Sequence, residues 1–342
     1  MKHRFTLTTL SFNRSVLEMA QPLLLALLVV ITALVWGPKA QAQTDDFPKR
    51  PIRMLLGYPP GGGSDLVARL IAQPLGERLG QPVVVDNKPG AGGTIATDMA
   101  AKATPDGYTI ILLPSGHSSV AALKRNLPFH PVKDFAWIST LTTYPLALSV
   151  TPNSSIKSFA DFVQRSKAEP GKFTYSSSGI GTAPHLIGEW ILWEAGISAV
   201  HVPFKGGTGP VTELLAGRVD VMIDTMTLTA AMLKDQRIRV LATTAPKGMG
   251  PLGNVPTVAD TLPQVVFESW LGIAAPAATP KPILDKLNRE IRAVLELPEV
   301  RQKLSDFGGA SRPSTPAEFQ ARVERDIENL RKVAVERKIE AE

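Results

Sequence analysis

The sequence of 342 residues contains no cysteine, and this absence excludes disulfides, thiol catalysis and cysteine-ligated metal sites. It contains only five histidines, and none of them pairs with another at the i,i+4 spacing of a helical metal motif. We therefore expect neither a metal nor a cofactor. Without disulfides the fold must rest on a hydrophobic core, which roughly 300 residues are long enough to form.

Strong positive charge is also lacking. The whole chain carries a net charge of +6, but residues 1–42 hold four basic residues and one acidic residue, so the remainder carries only +3. No long run of lysine or arginine follows residue 42. Binding to nucleic acid is therefore not expected.

The only long hydrophobic run lies near the start of the chain. Residues 1–21 carry three basic residues and one acidic residue, and residues 23–36 are apolar apart from one threonine. Ala40 and Ala42 then provide the small-x-small pattern of a signal-peptidase site. The run is shorter than the roughly 20 residues of a membrane-spanning helix. We expect residues 1–42 to be a cleaved signal peptide that directs the protein to the periplasm.

Strand-like and helix-like segments alternate after this point. Apolar runs at residues 52–56, 83–85 and 108–113 predict strands, and the first two are each followed by a helical pattern. Further strands are predicted at residues 146–151, 173–176, 199–204, 219–223 and 238–243. Such alternation predicts an α/β fold with a largely parallel sheet, in which ligands bind where strands lead into helices.

Three predicted strand-to-helix loops place glycines and a hydroxyl residue directly before a helix. They comprise residues 58–65, 88–94 and 176–185. Glycine lets a ligand approach the backbone closely, and the first turn of a helix offers unpaired N–H groups and the positive end of the helix dipole. Ser64, Thr94 and Thr182 are suitable capping residues. The loops together predict an anion site built mainly from backbone.

The glycine loops do not fit the motifs that bind nucleotides. A phosphate-binding loop needs Lys-Ser or Lys-Thr after its second glycine, but Gly63 is followed by Ser64-Asp65. A dinucleotide fingerprint would end in glycine or alanine, whereas residues 90–95 end in isoleucine and residues 179–184 in proline. A small carboxylate is therefore the simplest ligand.

A secreted serine hydrolase that uses Ser118 or Ser119 remains an alternative. Residues 116–120 begin like a G-x-S-x-G nucleophile elbow, but Val120 occupies the position of the closing glycine. Among the other polar residues, Ser115 is a candidate to bind the ligand through its hydroxyl group. Asp224 lies at the end of a predicted strand, a position that faces the ligand. His185 lies in the first turn of a helix, where it either reaches a ligand or stiffens the loop.

A series of short motifs closely resembles one family, the substrate-binding receptors of tripartite tricarboxylate transporters, also called Bug-type proteins. No single motif is specific, but their order and spacing agree from about residue 47 onward. The motifs are Pro59-Pro60-Gly61-Gly62, Pro89-Gly90-Ala91-Gly92-Gly93, Pro105-Asp106-Gly107-Tyr108-Thr109, Pro170-Gly171-Lys172, His201-Val202-Pro203-Phe204-Lys205-Gly206, Gly217-Arg218-Val219-Asp220 and Asn254-Val255-Pro256-Thr257.

The resemblance implies a type II periplasmic-binding-protein fold, in which two α/β lobes joined by crossing hinge strands close over a ligand. Lobe 1 would comprise residues 43–146 and 241–342, and lobe 2 residues 147–240. The protein would be a monomeric receptor, not an enzyme. It would deliver a di- or tricarboxylate, an acidic amino acid or an aromatic acid to membrane permease subunits, or signal to a sensor kinase.

The resemblance also nominates ligand-binding residues. Relatives hold a carboxylate through backbone amides and hydroxyls of the first and third glycine loops, partly through water. Transferred by position, the nominated residues are Tyr58, Gly62, Ser64, Asp65, Gly93, Ser115, Gly179, Gly181, Thr182, His185 and Asp224.

Overall fold

The computed structural model of the protein describes residues 47–204, 209–246 and 255–339. Strands and helices alternate through most of these ranges, which confirms the predicted α/β class. The strands are β1 (Ile52–Leu56), β2 (Val83–Asn87), β3 (Thr109–Pro114), β4 (Phe135–Val150), β5 (Thr174–Ser177), β6 (Val200–Pro203), β7 (Val221–Thr225), β8 (Arg239–Thr243), β9 (Glu268–Pro276) and β10 (Ala310–Ser311).

The helices follow the strands in the expected manner. They are α1 (Gly63–Leu79), α2 (Thr94–Ala101), α3 (Gly116–Leu123), α4 (Phe159–Ala168), α5 (Ala183–Ala195), α6 (Gly209–Leu215), α7 (Met226–Lys234), α8 (Lys281–Leu295), α9 (Pro298–Asp306) and α10 (Pro316–Glu336). Short 3-10 turns cover Ala91–Gly93 and Val258–Asp260.

The first group of strands is mainly parallel. β1 lies between β2 and β3, with Ile52 opposite Val83 and Arg53 opposite Thr109. Strand β9 pairs antiparallel with the other side of β3, and the first part of β4 pairs antiparallel with β9. The carboxyl ends of β1, β2 and β3 therefore open toward the same edge of the sheet, and the first two glycine loops and Ser115 follow them directly.

Strand β4 is longer than predicted and takes part in both groups of strands. The sequence predicted a strand only over residues 146–151, but β4 has 16 residues and most of its side chains are buried. Its later part, from Leu146 onward, pairs antiparallel with β7 on one side and with β8 on the other. Strand β5 lies parallel between β7 and β6.

The C-terminal helix α10 packs against the hydrophobic cores of both strand groups. The helix begins at a reciprocal capping box formed by Thr315 and Glu318. Phe319 and Val323 belong to the core beside β1 and β3, whereas Leu330 and Val333 belong to the core around β5 and α5. The division into two lobes at residues 146/147 and 240/241 stays a prediction.

None of the helices within the described ranges is long and apolar enough to cross a membrane. The predicted signal peptide, residues 1–42, lies outside the described residues. Helix α1 continues through Pro74.

Candidate functional site

The first glycine loop forms one wall of a cavity of about 450 Å³. Helix α1 begins at Gly63, with Gly62 as its N-cap, and Gly61 adopts a φ of 82° that favours glycine. Because the first-turn N–H groups of an α-helix have no intrahelical acceptor, residues 62–64 offer donors to whatever occupies the cavity. Asp224 lines the same cavity, which we therefore call the Asp224 cavity.

The third glycine loop lines a second cavity of about 500 Å³. Gly181, with a φ of 74°, and Thr182, the N-cap of α5, bring the start of that helix to the cavity wall. Lys124 is the cationic side chain on this wall among the described residues, so we call it the Lys124 cavity. A helix start and an ammonium group both favour a bound anion here.

The second glycine loop and Ser115 complete the Lys124 cavity. Ala91 and Gly92 line it with positive φ values of 48° and 67°. The Ser115 hydroxyl, which is buried, lies 2.6 Å from the hydroxyl of Ser269. The starts of α3 and α5 and the 3-10 turn at Ala91–Gly93 thus meet at one cavity.

The two cavities adjoin each other, and we call them together the cleft. They share four lining residues, and all four carry hydroxyl groups: Ser64, Tyr144, Ser178 and Thr225. The remainder of the Asp224 cavity is partly apolar, with Leu271, Leu304 and Phe307 in its wall. The cleft therefore combines helix N-termini, hydroxyl groups, one ammonium group and one carboxylate.

Asp224 is a buried carboxylate with only one of its two oxygens satisfied. Its Oδ1 accepts a hydrogen bond of 2.6 Å from the Thr225 backbone N–H, whereas Oδ2 has no hydrogen-bond partner within the described residues. Burial raises the pKa of Asp224 to about 6, although the Thr225 backbone and the nearby hydroxyls of Thr225 and Ser178 act in the opposite direction. The free oxygen is available to a hydrogen-bond donor in the cleft.

Two tyrosines line the cleft, and both are held in their neutral form. Burial raises the pKa of Tyr58 to about 12, with a smaller contribution from Tyr144. The pKa of Tyr144 is also raised, first by burial and then by the charge of Asp224, despite the nearby Ser269. The Tyr58 hydroxyl donates to the carbonyl of Gly92 at 3.3 Å and so links the first two glycine loops.

A network of buried polar side chains accepts hydrogen bonds from the third glycine loop and holds it in place. His185 Nδ1 accepts from the Gly181 N–H at 3.1 Å, and the His185 ring stacks on His201 with centroids 4.1 Å apart. His201 Nε2 lies 2.7 Å from Ser177 Oγ, which in turn accepts from the Gly179 N–H. Burial lowers the pKa of both histidines, that of His201 to about 4, so they are neutral near pH 7.

The same network reaches the C-terminal end of the chain through Glu189. One carboxylate oxygen of Glu189 accepts from the Tyr175 hydroxyl at 2.6 Å, and the other accepts from Arg337 Nε at 2.7 Å. Tyr175 stacks on His201 with centroids 4.8 Å apart. The loop that lines the Lys124 cavity is thus supported by side chains from β5, β6, α5 and the end of α10.

Seven of the eleven nominated residues line the cleft. They are Tyr58, Gly62, Ser64, Ser115, Gly181, Thr182 and Asp224.

The other four nominated residues hold the loops in place without lining either cavity. Asp65 accepts from Gly61, Arg69 and Asn87. Gly93 contacts the Tyr58 ring, where an added Cβ would lie only 3.3 Å from a ring carbon. Gly179 adopts a φ of 130° close to the Phe204 carbonyl, and His185 bonds to Gly181.

The predicted side-chain capping by Ser64, Thr94 and Thr182 is wrong. Gly62 and Gly93 occupy the first two N-cap positions, so Ser64 and Thr94 already lie within their helices. Thr182 is the N-cap of α5 but makes no side-chain cap bond, because its hydroxyl donates to the Gly179 carbonyl at 2.7 Å. With their caps unfilled, the helix starts leave more backbone N–H groups available to a ligand.

Ser118 and Ser119 are not placed as hydrolase nucleophiles. Both hydroxyls are buried without hydrogen-bond partners in the described chain, and neither residue lines the cleft. The neighbouring His117 ring bonds to the Pro131 carbonyl at 2.7 Å, and burial lowers its pKa to about 4. The arrangement lacks the serine–histidine contact that such catalysis requires.

Sequence reasoning missed several residues of the cleft. Ser178 and Thr225 adjoin nominated residues, so extending each motif by one position would have found them. Tyr144 and Ser269 lie in strands with no glycine motif nearby, and the sequence predicted neither the middle of β4 nor β9. Phe307 follows α9, whose packing brings it to the cleft from a distant part of the chain.

Comparison with known proteins agrees with this architecture. The model of the tripartite tricarboxylate transporter family receptor (TctC) matches residues 67–323. The protein BugT of Bordetella pertussis is 31% identical over 295 residues, which cover 85% of this chain and 90% of BugT.

Solved structures match over almost their whole length. The periplasmic binding protein BugD superposes with a TM-score of 0.73 at 29% identity, covering 86% of this chain and 100% of BugD. An R. palustris protein with adipate gives a TM-score of 0.75 at 33% identity, over 84% of this chain and 97% of its own. MatC from Rhodopseudomonas palustris with bound malate gives a TM-score of 0.72 at 29% identity, over 84% of this chain and 99% of MatC. The predicted periplasmic-binding-protein fold is confirmed.

Proposed function

Because this chain belongs to the tripartite tricarboxylate transporter receptor family, we propose that it captures a small carboxylate in the cleft and delivers it to a membrane permease. The family consists of binding proteins rather than enzymes. One observation carries the proposal: the N-terminal ends of α1, α3 and α5 line one cleft that is rich in hydroxyl groups.

Hydrogen-bond energies are large enough for a site with few basic side chains to bind an anion. A hydrogen bond to a charged group contributes about 1.5–3 kcal/mol. Four or five such donors, less the cost of association, reach micromolar affinity, which corresponds to about −8 kcal/mol. Relatives solved with adipate and with malate support a dicarboxylate-sized ligand, since both of these ligands carry two carboxylates.

The arrangement of strands supports a clamping mechanism. Strand β4 runs through both groups of strands, and the cleft is lined by residues from each group, such as Ser64 on one side and Thr182 on the other. Rotation of residues 147–240 against the rest of the chain would close the helix starts over the ligand. Export through the signal peptide at residues 1–42 would place this receptor in the periplasm. There a permease or a sensor kinase would bind the closed, monomeric form.

Binding of carboxylates by the purified protein tests the proposal. We expect at least one di- or tricarboxylate, acidic amino acid or aromatic acid to stabilise the fold, by about 2.7 kcal/mol at a hundredfold excess over Kd. Thermal unfolding across a panel of these acids measures the effect. The proposal fails if no acid in the panel moves the transition.

A matched pair of serine variants locates the binding site. Ser115→Ala removes a hydroxyl that lines the Lys124 cavity, so we expect the carboxylate affinity to fall by about tenfold, or about 1.4 kcal/mol. Ser118→Ala removes a buried hydroxyl outside the cleft and is the control, with unchanged affinity expected. Equal losses in the two variants would mean that the ligand does not depend on the Ser115 hydroxyl.

A further inference from the structure

The charge of Asp224 has no cationic partner within the described residues. The residue is 4% exposed, and Oδ2 makes no hydrogen bond. No cationic side chain contributes to its electrostatic environment, which is set by burial, Thr225 and Ser178. Buried charges in proteins are normally paired or bind a metal, because an uncompensated charge is costly to remove from water.

Neither a metal nor the cleft lysine accounts for this carboxylate. Among the described residues lining its cavity, Asp224 is the only acid and no histidine is present, and the described chain has no cluster of three or more potential metal ligands. Lys124 lines the other cavity and is not one of the residues around Asp224. No described residue of this cavity supplies a positive charge, so a compensating cation would have to come from the contents of the cleft.

We propose that Asp224 selects ligands that carry an ammonium group in addition to a carboxylate, with the ammonium donating a hydrogen bond to Oδ2. This inference rests on the proposed function, because it takes the carboxylate of the ligand to lie at the helix N-termini. The Asp224 cavity would then bind the positively charged ammonium group of the same ligand. The ligand class is then an amino acid rather than a simple dicarboxylate.

The surroundings of Asp224 suit an ammonium group. An ammonium has three donor hydrogens, and Asp224 Oδ2 would take one of them. Ser178, Thr225 and Tyr144 line the cavity beside Asp224 and carry hydroxyl oxygens that can accept the others. A hydroxyl on the ligand would satisfy the hydrogen bond but would leave the buried negative charge uncompensated.

Both ends of such a ligand can be bound at once. The Asp224 and Lys124 cavities share Ser64, Tyr144, Ser178 and Thr225 and therefore adjoin each other. Gly62 at the start of α1 lines the Asp224 cavity, and Thr182 at the start of α5 lines the Lys124 cavity. A zwitterionic ligand can therefore direct its carboxylate to a helix start and its ammonium to Asp224.

Matched ligands test the inference by isothermal titration calorimetry at pH 7.5. The pairs are succinate and aspartate, glutarate and glutamate, and adipate and 2-aminoadipate, which differ only by the ammonium group. Malate, which replaces the ammonium of aspartate by a hydroxyl, is measured alongside. We expect the amino member of at least one pair to bind at least tenfold tighter than its unsubstituted partner.

The variant Asp224→Asn separates charge recognition from shape. It keeps the oxygen that accepts from the Thr225 N–H. We expect it to weaken binding of the amino acid at least tenfold, whereas the plain dicarboxylate should not bind more weakly, because a buried negative charge that repels it is removed. Asp235→Asn is the control, because Asp235 is exposed and the substitution changes the net charge equally. We expect it to leave both affinities unchanged.

Several outcomes would overturn the inference. Tighter binding of the unsubstituted dicarboxylates or of malate would show that Asp224 does not select an ammonium group. An amino-acid preference that survives in Asp224→Asn would place the selecting group elsewhere. In either case the proposed carboxylate receptor would stand, whereas failure of every ligand in this set and in the wider carboxylate panel would overturn both proposals.

Discussion

Asp65 and Asp224 look alike in sequence but differ in the structure. Each lies where a strand leads into a helix, and each is buried, with 2% and 4% of its surface exposed. Asp65 accepts hydrogen bonds of 2.9 Å from the Gly61 N–H, Arg69 Nε and Asn87 Nδ2. Asp224 accepts one, from its own neighbour Thr225, and keeps a free oxygen at the cleft.

The pKa values of the two carboxyl groups move in opposite directions. Burial alone would raise the pKa of Asp65, but the hydrogen bonds from Arg69, Gly61 and Asn87 and the charge of Arg69 outweigh it, so the pKa lies below its ordinary value. The pKa of Asp224 rises to about 6 because burial is not outweighed. Asp65 therefore stabilises the loop. The charge of Asp224 instead destabilises the ligand-free protein, and a ligand that pairs with this charge would remove the destabilisation.

The largest expected effect comes from removing the fully bonded carboxylate. Asp65→Ala leaves Gly61, Asn87 and Arg69 without their acceptor and creates a small void, so we expect the free energy of unfolding to fall by about 3 kcal/mol. Urea denaturation followed by circular dichroism measures the change. The loss should diminish as pH falls below about 4, because the carboxyl group of the unfolded chain is protonated there first and the native carboxylate, with its lowered pKa, only at lower pH.

An exposed ion pair provides the control for this substitution. Asp285 pairs with Lys281 on the surface of α8, where both side chains are more than half exposed. Asp285→Ala should change the free energy of unfolding by less than about 0.5 kcal/mol. If the two variants lose equally little stability, Asp65 is not the anchor of the first glycine loop.

Asp224→Asn should have a somewhat smaller effect of the opposite sign. A carboxylate whose folded-state pKa is raised from its ordinary value to about 6 destabilises the native state as pH rises through the window of about 4 to 6. The neutral amide avoids this penalty. We expect the ligand-free variant to be more stable than the wild type by about 2 kcal/mol at pH 8, with the difference vanishing near pH 4.

The pH dependence should belong to Asp224 itself. Tyr144, the other titratable side chain that lines this cavity among the described residues, has a raised pKa and stays neutral up to pH 8. Asp235→Asn has the same change in net charge, so it should show no difference that depends on pH in this window. Destabilisation of Asp224→Asn at both pH values would mean that Asp224 is a structural carboxylate like Asp65.

Sequence reasoning found the loops of the site but not the role of every residue in them. The α/β alternation and the glycine loops follow from local patterns, and these predicted the edge of the sheet at which the cleft lies. Two partners of Asp65, Gly61 and Arg69, are four positions away and could have been considered from the sequence, but Asn87 is 22 positions away on β2 and becomes a partner only in the fold. Tyr144 and Ser269 reach the cleft only because β4 and β9 pair antiparallel.

The smallest effect is expected at Thr182, whose hydroxyl can also be classified as bonded within its own loop or as available to a ligand. Thr182 lines the Lys124 cavity, but its hydroxyl hydrogen is already donated to the Gly179 carbonyl at 2.7 Å, so the group resembles Asp65 more than Asp224. Thr182→Val keeps the shape and removes this bond, which should lower the free energy of unfolding by about 1 kcal/mol. Because the hydrogen is used within the loop, we expect the carboxylate affinity to change by less than threefold.

Thr182→Ser is the matched control for that substitution, since it restores the hydroxyl with little change in size and should recover most of the lost stability. Thermal unfolding and calorimetric titration of both variants separate the two contributions. A tenfold loss of affinity in Thr182→Val that Thr182→Ser restores would show that the threonine oxygen accepts from the ligand as well. The third glycine loop would then bind through a side chain in addition to the N–H groups at the start of α5.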